Sequence, residues 1–363
     1  MSLTNTGRRN NFDSLRLIFA LLVIFSHAFP LGLGSYATEP LYVLTRGQTQ
    51  FGNLSVWGFF VISGFFITQS WLRSPSAIKF LKHRIGRIYP GFTVVALLCA
   101  LIIVPIASDA HTYTQVSLRH FFFHTLRLNI WEMPPVFMKN AEHSPNGSLW
   151  SIPYEFWCYL GVLILGLCHL IRLRYLLLAV FVSVIGWRLD MDITGWNPTG
   201  GILENIFGNA ATWATVLPFF LAGMLFDLFG GHALLRAPIA ILALLVLITS
   251  YFIPHGLIVS LPTCGAYALM QIAYLPALNP LNLGRYGDFS YGVYLYAYPV
   301  QQLLVMHAGG RMSPYENFAF AAPISLALGA LSWFLIERHF VSRRLQLEKP
   351  PSEPHSNLGK LVS

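Results

Sequence analysis

Ten runs of predominantly apolar residues, most about twenty long, follow one another along this chain: 12–31, 54–72, 89–107, 149–170, 175–190, 206–229, 237–253, 257–276, 288–307 and 317–337, the fifth being short. A run of that length matches the thickness of a bilayer's hydrocarbon core when it is helical. Lipid offers no partner to a backbone N–H or C=O, so a spanning segment has to satisfy its own. The fold class this predicts is all-α, a polytopic transmembrane bundle of about ten spans. With 55% hydrophobic and only 10% charged residues, the chain is too apolar for an ordinary soluble enzyme.

Charge sets the expected orientation. With the N-terminus in the cytoplasm, the outer segments hold six basic residues, Arg46, Arg119, Arg127, Lys139, Arg188 and Arg311, and the inner segments hold the other 17 of the 23. That is the bias of the positive-inside rule, and it places both termini in the cytoplasm. The net charge of +8 is spread over short segments between apolar runs and not gathered into a patch, so no nucleic-acid partner is expected. The first run carries Arg16 and His27 with no small-residue cleavage site close behind, and reads as a retained helix, not a cleaved signal. Cys99, Cys158, Cys168 and Cys264 all sit in apolar runs, which predicts neither a disulfide framework nor a zinc site. One membrane domain is expected over residues 1–340, followed by a polar, proline-containing cytoplasmic tail, 341–363, without fixed structure. Ser117 to Trp131 mixes Phe and Leu with Arg and His and reads as a helix lying on the outer leaflet.

Five residues stand out as candidates for chemistry. Arg16 and His27 are eleven residues apart on the first span, which places both on one helix face, separated by roughly 16 Å along the axis. An ionisable residue inside a membrane span is costly and marks a functional site by default. His27 suits a general base because imidazole titrates near neutrality. Arg84 and Arg87, three apart at the start of the third run, share a face, and guanidinium forks match phosphate oxygens. Glu155, a turn or two into the fourth run from the outer side, falls at the expected depth of His27 and would orient its imidazole. Glu337 and Arg338 close the tenth run, where an ion pair between them is the default reading. No Gly-rich phosphate loop, Gly-x-Ser-x-Gly elbow or metal-ligand spacing is present in the sequence. A transporter using a buried Arg–His–Glu relay, or a scaffold with polar helix contacts, is the alternative from residues alone.

In order along the chain, these residues resemble the acyltransferase 3 family of membrane-bound sugar O-acyltransferases. Phe12-Asp-Ser-Leu-Arg16 with His27 is similar to the family's first-helix pattern, and Gly58-Phe-Phe-Val-Ile-Ser-Gly64 to its second-helix signature. Arg84-x-x-Arg87, Ser148-Leu-Trp-Ser-Ile-Pro-Tyr-Glu155, in which Ser148, Ser151 and Glu155 fall at helical spacing, Ser290-Tyr-Gly-Val-Tyr-Leu and Glu337-Arg338 resemble its later motifs. The chain departs at Tyr296-Ala297, where members often carry a histidine. The resemblance implies an acyl group, usually acetyl, taken from cytoplasmic acyl-CoA as cosubstrate and delivered to a hydroxyl of a surface or exported glycan at the bacterial inner membrane. It implies no bound cofactor. In that scheme Arg84 and Arg87 hold the CoA phosphates, His27 with Glu155 activates the sugar hydroxyl, and Arg16 orients the donor or stabilises charge.

Overall fold

The computed structural model describes residues 10–108, 118–129, 136–198, 202–276 and 287–341. All regular elements among them are helices. The tail after residue 341 and parts of the long segment 108–148 lie outside the described residues. Eleven helices carry the architecture: α1 (Phe12–Leu33), α2 (Phe51–Arg73), α3 (Ala77–Ala107), α4 (Leu118–Leu126), α5 (Gly147–Leu167), α6 (Arg174–Thr194), α7 (Ala210–Leu228), α8 (Ala237–Tyr251), α9 (Gly256–Ala273), α10 (Ser290–His307) and α11 (Pro314–Phe340). Seven of these, α1, α2, α3, α5, α7, α9 and α11, are long and apolar enough to cross a membrane. Helix α8 is apolar but only 15 residues long, whereas α6 and α10 have the length with a more polar composition. Ile239, Ile241, Leu242, Leu244, Leu245 and Ile248 of α8 are all exposed on the protein surface, a run of apolar surface that a soluble protein rarely shows and lipid would cover.

Helix α2 stands at the centre, and glycine puts it there. A Cβ on Gly64 would lie 2.0 Å from the Phe220 carbonyl oxygen of α7, and one on Gly223 would lie 2.0 Å from that of Val61. The two backbones therefore touch, the close approach that small residues allow between membrane helices. On another side Gly58 accepts the ring of Phe19 from α1. Helix α1 packs in turn against α2, α10 and α11. Its end is set by Gly34, whose positive φ of 77° is the left-handed stop that directs its N–H back to the Pro30 carbonyl.

The apolar runs and the helices coincide, with one displacement that matters. Helix α3 begins at Ala77, twelve residues before the predicted start, so Arg84 and Arg87 sit inside the helix and not at its first turn. A π turn, Cys99–Ile103, interrupts α3 just before Pro105, which cannot donate to the carbonyl four residues back.

The expected outer-leaflet helix is also placed differently. Residues 118–126 do form α4, but the Tyr89 hydroxyl of α3 donates to the Leu126 carbonyl at 2.8 Å. Tyr89 precedes the end of α3 at Ala107 by 18 residues, about 27 Å of helix. The end of α4 therefore lies deep alongside α3, while Phe137 is back at its far end, with its N–H on the Ala107 carbonyl at 3.0 Å.

Candidate functional site

Helix α1 carries two polar groups, one around Arg16 and one around His27, and the other helices complete each. Arg16 Nη1 lies 3.2 Å from Asp288 Oδ2 at the start of α10. Arg87 Nη2 reaches the same oxygen at 2.6 Å, and its Nη1 lies 3.7 Å from Glu337 Oε2 on α11. Ser290 donates to the other Asp288 oxygen at 2.6 Å, and Ser332 to Glu337 Oε1 at 2.8 Å. One carboxylate thus bridges two arginines from helices that are remote in sequence. Glu337 is buried and turned toward Arg87, not toward its neighbour Arg338, whose guanidinium lies over Phe334. The expected Glu337–Arg338 pair gives way because a buried carboxylate gains most from a cation that is buried with it.

Arg84 differs from Arg87 although the two share a helix face. Its guanidinium sits over the rings of Phe80, at 5.7 Å, and Tyr159, at 5.8 Å. It makes no ion pair among the described residues, and its Nε is buried without a hydrogen-bond partner. Beside it, Glu155 Oε1 accepts from the hydroxyls of Ser63, at 2.5 Å, and Tyr159, at 2.5 Å. Tyr159 therefore touches both Arg84 and Glu155.

The second group contains no ion pair among the described residues. His27 Nδ1 lies 3.3 Å from Ser148 Oγ, and the imidazole stands edge-on to the Tyr298 ring with centroids 5.5 Å apart. The ring therefore points into the protein, not into lipid. Ser148 is fully buried, and its carbonyl accepts from the Tyr294 hydroxyl. Tyr294 also bonds Ser151 Oγ at 2.8 Å. Asn146 caps the Ser148 N–H at 3.3 Å and donates to the Leu295 carbonyl at 2.9 Å.

Of the five sequence candidates, Arg16 and Arg87 are joined through Asp288, and Arg84 and Glu155 are joined through Tyr159. Glu155 makes no hydrogen bond to His27 among the described residues. It lies seven residues beyond Ser148, about 10 Å further along α5, and its two hydroxyl partners fix it toward the arginines. Asp288 and Tyr159 are the members that sequence reasoning did not assign to the site, and Ser148, which stands at helical spacing with Glu155 in the sequence, had no partner assigned to it. A signal for Asp288 was available: three arginines bordering apolar runs need counter-charges, and few acidic residues stand at such positions. No group of metal-ligating side chains occurs among the described residues.

Comparison with known proteins gives this arrangement its context. The acyltransferase 3 family, described as an acyltransferase domain, matches residues 9–338. An "O-acetyl transferase" of Shigella phage Sf6 is 29% identical over 93% of this chain and 97% of its own. "Nodulation protein 10" of Rhizobium leguminosarum bv. viciae is 29% identical over 94% of this chain and 96% of its own. No solved structure matches. With nearly its whole length matched and seven helices fit to cross a bilayer, the chain belongs to the acyltransferase 3 family and is a multi-pass membrane O-acyltransferase.

Proposed function

We propose that the protein moves an acetyl group from cytoplasmic acetyl-CoA to a hydroxyl of a surface or exported glycan, in the inner membrane of a bacterium. The observation that carries this reading is the division of α1: a cluster of guanidinium groups around one end and an imidazole facing the interior near the other. In the proposed topology all ten helices that coincide with apolar runs cross the membrane, α6, α8 and α10 included, and both termini are cytoplasmic. The arginine end then faces the compartment that supplies a polyanionic donor, and the histidine end faces the exported acceptor. The name of the phage relative, an O-acetyl transferase, supports acetyl as the group transferred.

In this reading Arg84 makes the main contact with donor phosphate, because its donors are not committed to a carboxylate. Arg87 and Arg16, bridged by Asp288, hold the helices that frame the donor and contribute positive potential. Glu155 belongs with Arg84 at the donor end. His27 takes the proton of the sugar hydroxyl as its oxygen attacks the thioester carbonyl carbon. The carbon–sulfur bond breaks, and the imidazolium returns the proton to the departing CoA thiolate. The test is transfer of label from radiolabelled acetyl-CoA to crude host glycan by membranes containing the protein, compared with His27→Ala. Label in the glycan that vanishes with the substitution is the expected result. Equal label with both proteins overturns the assignment of His27, and background label with both overturns the acceptor class.

A further inference from the structure

We infer that Ser148, not Glu155, orients His27, by accepting a hydrogen bond from Nδ1–H and so holding Nε2 as the unprotonated nitrogen that faces the acceptor. This rests on His27 being the base in the reading above. In neutral imidazole one nitrogen carries the proton and the other accepts, so the partner of the first decides which nitrogen can act as a base. Ser148 Oγ is the hydrogen-bonding group on Nδ1, at 3.3 Å, and Nε2 has no partner among the described residues. His27 keeps some exposure although Ser26 and Ala28 beside it have none.

A serine hydroxyl is able to donate or accept, and the catalytic cycle selects between the two. If Ser148 donated to Nδ1, Nε2 would carry the proton and have no lone pair for the sugar hydroxyl. After proton transfer both nitrogens carry hydrogen, and only an accepting oxygen still has a favourable contact with Nδ1–H. Accepting is thus the one role that serves both protonation states. The second requirement of an orienting group is that it stays in place. Ser148 is fully buried and fixed from two sides: the Tyr294 hydroxyl holds its carbonyl, and Asn146 caps its N–H while anchored on the Leu295 carbonyl. Two helix α10 residues therefore secure the loop end of α5 against α1. Glu155 is directed elsewhere by Ser63 and Tyr159, so no carboxylate among the described residues performs this task at His27.

Ser148 is a positioning residue here, and its removal separates rate from binding. In the solubilised full-length enzyme with radiolabelled acetyl-CoA and the glycan acceptor, Ser148→Ala is expected to lower kcat about ten- to a hundredfold, by analogy with metal-bound histidines that lose the partner of their other ring nitrogen. The KM for acetyl-CoA and direct CoA binding stay unchanged. Ser148→Thr, which restores the hydroxyl, recovers most of the rate. Tyr294→Phe, which frees the Ser148 carbonyl but leaves its hydroxyl, gives a smaller loss with the same kcat signature. Wild-type kcat in Ser148→Ala, with His27→Ala inactive, overturns this inference and leaves the reading of His27 standing. Full activity in His27→Ala overturns the reading itself. Loss of CoA binding together with rate in Ser148→Ala, without rescue by threonine, assigns the residue a structural role. An acetyl group found on Ser148 by mass spectrometry during turnover makes it a nucleophile. Either of these last two results also overturns the inference.

Discussion

The two polar groups on α1 are built on opposite principles. Around Arg16 the contacts are ionic, with one carboxylate, Asp288, serving two guanidiniums, and a second, Glu337, on the far side of Arg87. Around His27 the contacts are hydroxyls, an amide and an aromatic edge, with no ion pair among the described residues. An ion-pair cluster holds helices together and attracts an anion, but each charge left unmatched in it is costly. A hydroxyl shell orients an imidazole through hydrogen bonds and sets no fixed charge beside it. The same difference recurs on a smaller scale within α3: Arg87 is committed to two carboxylates, whereas Arg84, one turn away, has aromatic faces and an unsatisfied Nε.

The sharpest way to break this comparison is at the His27 end. His27→Ala is expected to reduce acetyl transfer by about 10²- to 10⁴-fold, the contribution of a positioned general base, with donor binding retained. A rate within threefold of wild type removes His27 from the chemistry. At the ionic end the two arginines should fail differently. Arg87→Ala leaves Asp288 and Glu337 without their shared partner and is expected to destabilise the bundle by about 3 kcal/mol, read as a fall in thermal stability in detergent. Arg84→Ala is expected to leave stability nearly unchanged and raise the KM for acetyl-CoA about ten- to a hundredfold, as a charged hydrogen-bond donor to phosphate is lost. If the two substitutions behave alike, the division between a binding and a structural arginine is wrong.

Smaller effects test the frame around both groups. Gly64→Ala places a methyl group against the α7 backbone and should cost about 1–3 kcal/mol of stability through overpacking. Its effect on transfer should follow the loss of folded protein, not a change in KM. The smallest effect is expected at the exposed pair Arg188–Asp192, 3.4 Å apart on one turn of α6. Arg188→Ala should change stability by no more than about 0.5 kcal/mol. A large effect there would mean that charge outside the α1 groups supports the fold.

Much of the framework was legible because it rests on local rules. Apolar run length gave the helices, and helical periodicity put Arg16 and His27 on one face before any contact was known. The start of α3 was not legible: Lys79, Lys82 and His83 hide the helix ahead of the third apolar run, yet no proline falls between Ala77 and Arg87 and the turns simply continue inward. Nor was the depth of α4, since amphipathic composition does not say which surface covers the apolar side. Glu155 was assigned to His27 on depth alone, and depth does not fix the direction in which a side chain points around a helix.

What the sequence by itself determined, then, is the set of helices, the shared face of Arg16 and His27, and the kinship of the chain. These follow from spacing along one segment, where backbone geometry links position to direction. The choice of partners was decided only by tertiary structure. Asp288 meets Arg16 and Arg87 across more than two hundred residues, and Ser148 meets His27 across more than one hundred. Such pairings depend on how α2 is drawn against α7 through Gly64 and Gly223 and on which faces α1, α5 and α10 then turn inward. Helix rotation of that kind is set by packing between segments, and no pattern within a single segment encodes it.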